Sequence, residues 1–516
     1  MIPRMMPSSV LGFGCLILLL IPMKSAFSEV LLAVPADTLA VQLSSEPTEY
    51  DPLLLEDGTA LKISANTLGT LYQYDGKGNR SKGLVSDYSV SRDRKHYTFR
   101  FRKNLKWSDG KPFEATQFLL AVTRLVKEPV KAALSDLFPK IDLAHTRVLD
   151  SRTMELVLFE PDAQLLNWLT LPPFAPLRAD ILSIYAEKHT PVVPTLGAYE
   201  VVDYKRGDSL TLKKNANYFD ADSVSIPEVK IRFIEDEGAL VPLLNAGTVD
   251  ILNRVPVLQL KQVEEVARVL TVPVEAVTYL AFNTRKPPFQ DLSNRRSVRD
   301  ALLRVKKVEL AQDLKTGERA ANGFLPEVLL PAELRLPDPS VNASPTPNPR
   351  DQKLEFSIQS DIGSRNQTIL EFVQSELKSD FGWKVTLDLM DWKAHYAKLK
   401  TDPDPIYRVG WQNPVSDPFV VYQVLTSKSP NNFTGWSNSL YDAKVASLRQ
   451  ETRNVKRLKL IQELETILYE EAPVVPLLHQ VLRFAYSKRV SGFRANPFGV
   501  ILFRELHLNN EKPKTN

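Results

Sequence analysis

Histidines are the side chains best able to bind a metal or move a proton, and this 516-residue chain has six of them. His96, His145, His189, His395, His479 and His507 lie far apart, with no pair at i, i+3 or i, i+4 to ligate from one helix face. No Gly-x-Ser-x-Gly elbow presents a serine nucleophile. The single cysteine, Cys15, sits in an apolar N-terminal run. Gly58, Gly69, Gly76, Gly78 and Gly83 are spread over loops and make no phosphate-binding turn. Asp402/Asp404 and Glu470/Glu471 are carboxylate pairs of a kind ordinary in a chain with 24% charged residues. No enzyme, no metal and no cofactor are therefore expected. One stretch, Tyr407 to Pro418, gathers a cation, a glycine, an indole and several polar groups. Arg408 to Trp411 reads as a short strand, where Gly410 lets another backbone approach and Trp411 offers an apolar plate. Gln412, Asn413 and Asp417 add polar groups. Asp417-Pro418 ends the stretch, and Phe419 to Leu425 is apolar enough for a following helix.

The elements that must hold this stretch alternate in type. Tyr97 to Arg102 alternates as a strand, with Tyr97, Phe99 and Phe101 on one face. Ser108-Asp109-Gly110 is a tight turn, Pro112 stiffens the backbone, and Phe118 to Val126 has helical spacing. Leu196 to Val202 and Leu210 to Lys213 flank the turn Lys205-Arg206-Gly207-Asp208 and predict a hairpin. Strand Val229–Ile234, helix Gly238–Asn245, Gly247 and strand Val249–Ile251 predict a βαβ unit. Leu354–Gln359, a helix around Ile369–Leu377 and Lys384–Leu389 predict another strand-helix-strand. Pro331 to Arg350 holds six prolines and reads as an extended surface connection, with a disordered linker as the rival.

The N-terminus addresses the chain. Arg4 precedes a twelve-residue apolar core, Val10 to Ile21, too short to span a bilayer comfortably. Ala26-Phe27-Ser28 fits a signal peptidase site, which puts the mature N-terminus at Glu29. Retention as a membrane anchor is the alternative. Phe13 and the apolar run after Cys15 argue against lipid attachment at that cysteine. Loss of residues 1–28 lowers the formal net charge from +4 to +2. That nearly neutral surface gives no reason to expect nucleic acid.

The order of these segments resembles the extracytoplasmic solute-binding proteins of oligopeptide and dipeptide ABC importers. Trp107 with Ser108-Asp109-Gly110, the Gly197-Ala198-Tyr199 hairpin ending in Asn215-Ala216-Asn217-Tyr218, and Pro287-Pro288-Phe289 each match part of that pattern. So does Glu46 to Pro52, with Tyr50 in place of Leu. The resemblance implies an α/β fold: a two-lobed, hinged periplasmic binding protein of type II with an additional inserted domain. The first lobe would comprise 29–69, 188–281 and 480–516, the inserted domain 70–187, and the second lobe 282–479. Crossings between lobes would fall at Ala281/Phe282 and Leu478/His479. Only Leu325-Pro326 and the proline-rich connection stand where relatives often carry a helix, so the second lobe would be trimmed there.

The implied function is capture of a peptide or peptide-like solute in the interlobe cleft and its delivery to an inner-membrane ABC permease by a periplasmic monomer. Arg408, Gly410, Trp411, Gln412, Asn413 and Asp417 would line the second-lobe wall, Ser44 and Ser45 the first. Asn432 and Trp436, with Tyr441, would lie along the cleft edge. Pro414 falls where peptide-binding relatives carry the Asp that pairs with a ligand ammonium. Either Asp417 or another group replaces it, or the ligand has no free ammonium. A sensor uncoupled from transport and a binder of a non-peptide solute are the alternatives; a periplasmic hydrolase is the enzyme alternative.

Overall fold

The computed structural model describes residues 34–509 except 56, 129–136, 257–258, 303 and 331–352. The expected leader with Cys15 and the proline-rich connection lie outside the described residues. One mixed sheet of eleven strands runs through the molecule. On one side, Thr38–Leu43, Glu228–Phe233 and Ile251–Leu252 are parallel, and the hairpin Tyr199–Lys205/Ser209–Lys214 extends them. On the other, Glu355–Asp361, Lys384–Met390 and Ile406–Gln412 are parallel. Parallel neighbours need a crossover, which the helices Ser364–Phe381 and Trp392–Thr401 supply. Each half has its own apolar core. Leu39, Val41, Leu212, Ile231 and Phe503 belong to the first, Phe282, Ile358, Val373, Trp383 and Ile406 to the second. Two α/β lobes result, as expected.

Two long antiparallel strands, Arg268–Phe282 and Val474–Tyr486, join the lobes. Their register shifts between Pro273 and Val277, and Ala276 takes Gln412 as its first partner in the 406–412 strand. At Glu275 the N–H donates to the carbonyl of Pro497 at 3.0 Å, while the carbonyl accepts from Asn413 N–H at 2.8 Å. Glu275 thus bonds to the loop at Pro497 on one side and to the end of the 406–412 strand on the other.

Residues 70–187 hold a four-stranded antiparallel sheet, in which His96–Phe101 pairs with Val85–Val90 and Thr153–Val157. The helix Ala115–Lys127 covers it, burying Phe118, Ala121, Val122 and Leu125 at helical spacing. Gly110 turns the chain at φ +83, a conformation that costs glycine little. The turn fastens this segment to the first lobe: Ser108 N–H donates to Thr195 O at 2.8 Å, and Asn217 Nδ2 to Ser108 O at 3.2 Å. Trp107 is buried, with its Nε1 on Gln117 Oε1 at 2.9 Å. Arg178 lies 5.1 Å from the Trp107 ring and pairs with Asp109 at 2.8 Å.

Candidate functional site

Strand directions define the site. The 268–282 strand runs from the first lobe into the second, and the first-lobe strands run with it, because both they and it are antiparallel to Val474–Tyr486. The 406–412 strand is antiparallel to 268–282, so the second-lobe strands point back. Each lobe therefore aims the carboxyl ends of its parallel strands at the other, the place where open α/β sheets bind ligands. Ser44, Ser45 and Arg254 are exposed at the first-lobe ends; Ile362, Trp392, Gly410 and Gln412 are exposed at the second-lobe ends.

The 406–412 strand carries the candidate residues. Its one edge is fully paired to Ala276–Phe282, but on the other edge the 355–361 strand pairs only Ile406 and Tyr407. From Arg408 to Gln412 that second edge has no strand partner among the described residues. Arg408 is buried, with Nη1 on Asp361 Oδ1 at 2.6 Å and Nε without a hydrogen-bond partner. Burial pushes its guanidinium down to about 10, against the pull of Asp361. A second ion pair stands close by: half-buried Arg365 Nη2 meets buried Glu318 Oε1 at 2.5 Å and donates to Thr278 Oγ1 at 3.0 Å. Gln480, on the other crossing strand, donates to the same hydroxyl at 3.0 Å.

The polar side chains beyond Gly410 turn mostly inward. Trp411 is half-buried and donates from Nε1 to Asn413 Oδ1 at 3.1 Å. Gln412 reaches across to the first-lobe Phe498 carbonyl at 3.2 Å. Asn413 is buried, and its Nδ2 reaches Glu275 Oε2 at 3.4 Å and Asp417 O at 3.2 Å.

Three expected contact residues have other tasks. Asp417 caps the helix Pro418–Gln423, accepting from Phe419 N–H at 2.8 Å, and both its oxygens meet Arg457 Nη2 at 2.7–2.8 Å. The carboxylate is buried and its charge is compensated by Arg457 within the same lobe. Asn432 ties its own loop together, donating to the carbonyls of Leu425, Thr426 and Trp436. Trp436 is buried against Tyr441 at 5.1 Å, so it packs the lobe. Sequence reasoning missed Trp392, Asp361 and Glu275. Trp392 could have been found, since Asp391 before it caps a helix at a strand end, accepting from Lys393 and Ala394 N–H at 3.0 and 3.1 Å.

Among the described residues no group of three or more His, Cys, Asp or Glu side chains could hold a metal ion. His395 and His479 are buried separately, the first against Gln359 and the second against the Gly323 carbonyl. No helix among the described residues is long and apolar enough to cross a membrane.

Comparison with known proteins agrees with this geometry. Residues 80–433 match the model of the bacterial extracellular solute-binding proteins, family 5 Middle. The probable deoxycholate-binding periplasmic protein YgiS of Escherichia coli (strain K12) is 25% identical over 496 residues, covering 90% of this chain and 92% of that protein. The dipeptide-binding protein DppE of Bacillus subtilis (strain 168) is 24% identical over 496 residues, covering 90% of each chain. The structure of the Escherichia coli murein tripeptide binding protein MppA shares the fold with a TM-score of 0.77 at 22% identity, covering 91% of this chain and 98% of that one. Haemophilus influenzae OppA in complex with RPPGFSPFR does so with a TM-score of 0.74 at 20% identity, covering 92% and 100%. With its matching segment spanning most of its length, the chain belongs to the bacterial extracellular solute-binding proteins of family 5.

Proposed function

We propose that this chain captures a peptide or peptide-like solute between its lobes in the periplasm and hands it to an inner-membrane ABC permease, acting as a monomer after removal of its leader. The observation that carries this is the 408–412 edge, which has no strand partner among the described residues and is exposed at Gly410 and Gln412. An extended ligand can add to it as a strand, its main chain supplying affinity and its side chains entering flanking space. Trp392 and Trp411 supply aromatic faces for apolar groups, and Ser44 and Ser45 face the ligand from the opposite wall. Closure follows because the ligand touches both walls only when the lobes are together. The relatives are named as binding proteins.

A second reading has a specific observation behind it. Pro414 offers no anion, Asp417 is held by Arg457, and Arg408 is neutralised by Asp361. A solute without a free ammonium, such as the bile acid named for the Escherichia coli relative, suits those walls too.

Thermal shift and calorimetry on di- to pentapeptides and on deoxycholate test both readings. Small-angle scattering should show a smaller radius of gyration in the saturated protein. Binding by no peptide, with contraction on deoxycholate alone, would transfer the assignment to the non-peptide reading. Co-purification with a permease separates an importer component from a free-standing sensor.

A further inference from the structure

Glu275 is 1% exposed, on the strand that changes lobes. Ser416 Oγ donates to its Oε1 at 2.5 Å and Asn413 Nδ2 reaches Oε2 at 3.4 Å. Both partners are neutral, and no cation among the described residues pairs with it.

Four pieces of the molecule enclose this carboxyl. The crossing strand bears it, and the second-lobe loop 413–416 holds its oxygens. The first-lobe loop at Pro497 takes its N–H at 3.0 Å. Phe498 beside it lies 4.8 Å from the ring of Tyr74, whose OH accepts from Ser416 N–H at 3.4 Å. The first-lobe loop at 497–498 and Tyr74 thus lie over the second-lobe loop that holds Glu275, and a parting of the lobes would separate these pieces.

The charged and titratable groups around it are few. Tyr74, on the short hairpin Tyr72–Tyr74/Arg80–Lys82, is itself pushed up to about 12 by burial, with Arg80 near it. Asp417, beyond Ser416, is paired to Arg457. On the other crossing strand His479 turns to Gly323, and on the neighbouring strand Arg408 turns to Asp361. Asn496, Pro497 and Phe498 carry no charge.

We propose that Glu275 is a proton-binding site built into the hinge: the closed form holds this carboxyl neutral, and opening lets it ionise. Burial, helped by Asp417, raises the closed-state value from 4.5 to about 7, with Ser416 and Asn413 opposing. The sign follows. The closed form binds the extra proton, so closure is favoured in acid and that advantage is lost as pH rises through about 7. Ligand capture is strongest in an acidified compartment and release easiest on the alkaline side. This inference rests on the two-lobed closure proposed above.

Small-angle scattering of the mature, ligand-free chain from pH 5.5 to 8 tests it. The closed-to-open ratio should fall on the order of tenfold across that range. In Glu275→Gln, whose side chain stays neutral, the ratio should stay level. Ser416→Ala removes a hydrogen bond that favours the carboxylate, so it should move the midpoint to higher pH. A ratio independent of pH in the unmodified chain, or the same dependence in Glu275→Gln, would overturn the proposal. Because the readout needs no ligand, a peptide panel that fails to bind counts against the importer reading alone.

Discussion

Arg449 and Asp162 meet across the lobes. The guanidinium at the end of the second-lobe helix Ser439–Gln450 reaches the buried Asp162 carboxylate of the inserted segment at 2.7 Å. It also donates to the carbonyls of Leu137 and Phe138 at 3.1 and 3.2 Å, with its charge 5.0 Å from the Phe419 ring. Segment 70–187 is hydrogen-bonded to the first lobe through Ser108 and packs apolar residues such as Phe138 in one core with Phe419 and Tyr422 of the second, so we expect lobe movement to load this contact. Arg449→Ala leaves a buried carboxylate unpaired in the closed form, a loss of about 3 kcal/mol. Ligand affinity should fall by tenfold or more and the ligand-free radius of gyration should rise. A lowered unfolding midpoint with an unchanged radius would assign the pair to the fold instead.

Asp417 makes the contrasting case, because its partners move with it. Arg457 and the Phe419 N–H both belong to the second lobe. Asp417→Ala removes a helix cap and strands a buried cation, so unfolding stability should drop by about 3 kcal/mol. Asp417→Asn keeps the cap and should recover roughly 1 kcal/mol of that loss. Urea unfolding measures both. Neither change should alter whether a ligand needs a free ammonium, and a selective loss of binding to unblocked peptides in Asp417→Ala would return Asp417 to the cleft.

Local patterns made most of the architecture legible. The alternation around Tyr97, the helical spacing around Phe118 and the turn at Gly110 all stand where the sequence placed them. The first-lobe halves of the crossing strands were not legible. Pro273 and the partly exposed run Arg268 to Pro273 argue locally against a central strand, and only pairing with Val481 to Tyr486 overrides this. The free edge at Arg408 could be inferred from Gly410, but the neutralising Asp361 lies 47 residues away. Glu275 interrupts an apolar run, a signal visible in the sequence, yet its neighbours Tyr74, Asn413 and Pro497 come from distant segments that only the fold assembles. Asp417 shows the opposite error: an Asp before Pro reads as an available anion until Arg457 is seen on it.

His479 predicts acid sensitivity. Burial pushes it down to about 4, against the Gly323 carbonyl that accepts from Nε2–H at 3.1 Å. The folded state keeps this ring neutral while the unfolded chain protonates near 6.5. Its stabilising contribution is therefore complete above about pH 6.5 and falls by about 1.4 kcal/mol per pH unit towards 4. Glu275 works in the opposite sense over part of that range, because its raised value favours the folded state in acid. The His479 slope should thus be partly masked in the unmodified chain and steeper in Glu275→Gln. Denaturant titrations at pH 7, 6 and 5 measure it. A slope no steeper in that background would remove the Glu275 term, and no slope at all there would remove His479 from the account.

Gly410 and the ammonium question decide how the ligand is held. A Cβ at position 410 would come within 3.3 Å of Gln480 Nε2 and 3.4 Å of Val277 O, and the residue is exposed at the free edge. Gly410→Val places a branched side chain where a ligand backbone must approach and crowds the other crossing strand. Affinity for any bound peptide should fall at least tenfold, while unfolding stability should change by only about 1 kcal/mol, as for other substitutions away from a packed core. Acetylating the same peptide should matter much less. Losing one partner of a buried charge pair typically costs about 2–5 kcal/mol, yet Pro414 has no charge and Asp417 is already paired with Arg457. Calorimetry on free and acetylated tripeptides should therefore differ by less than about tenfold, or 1.4 kcal/mol. A loss above a hundredfold on acetylation, abolished in Asp417→Ala, would mean that the 413–417 loop rearranges on binding and that the ligand is anchored by its ammonium after all.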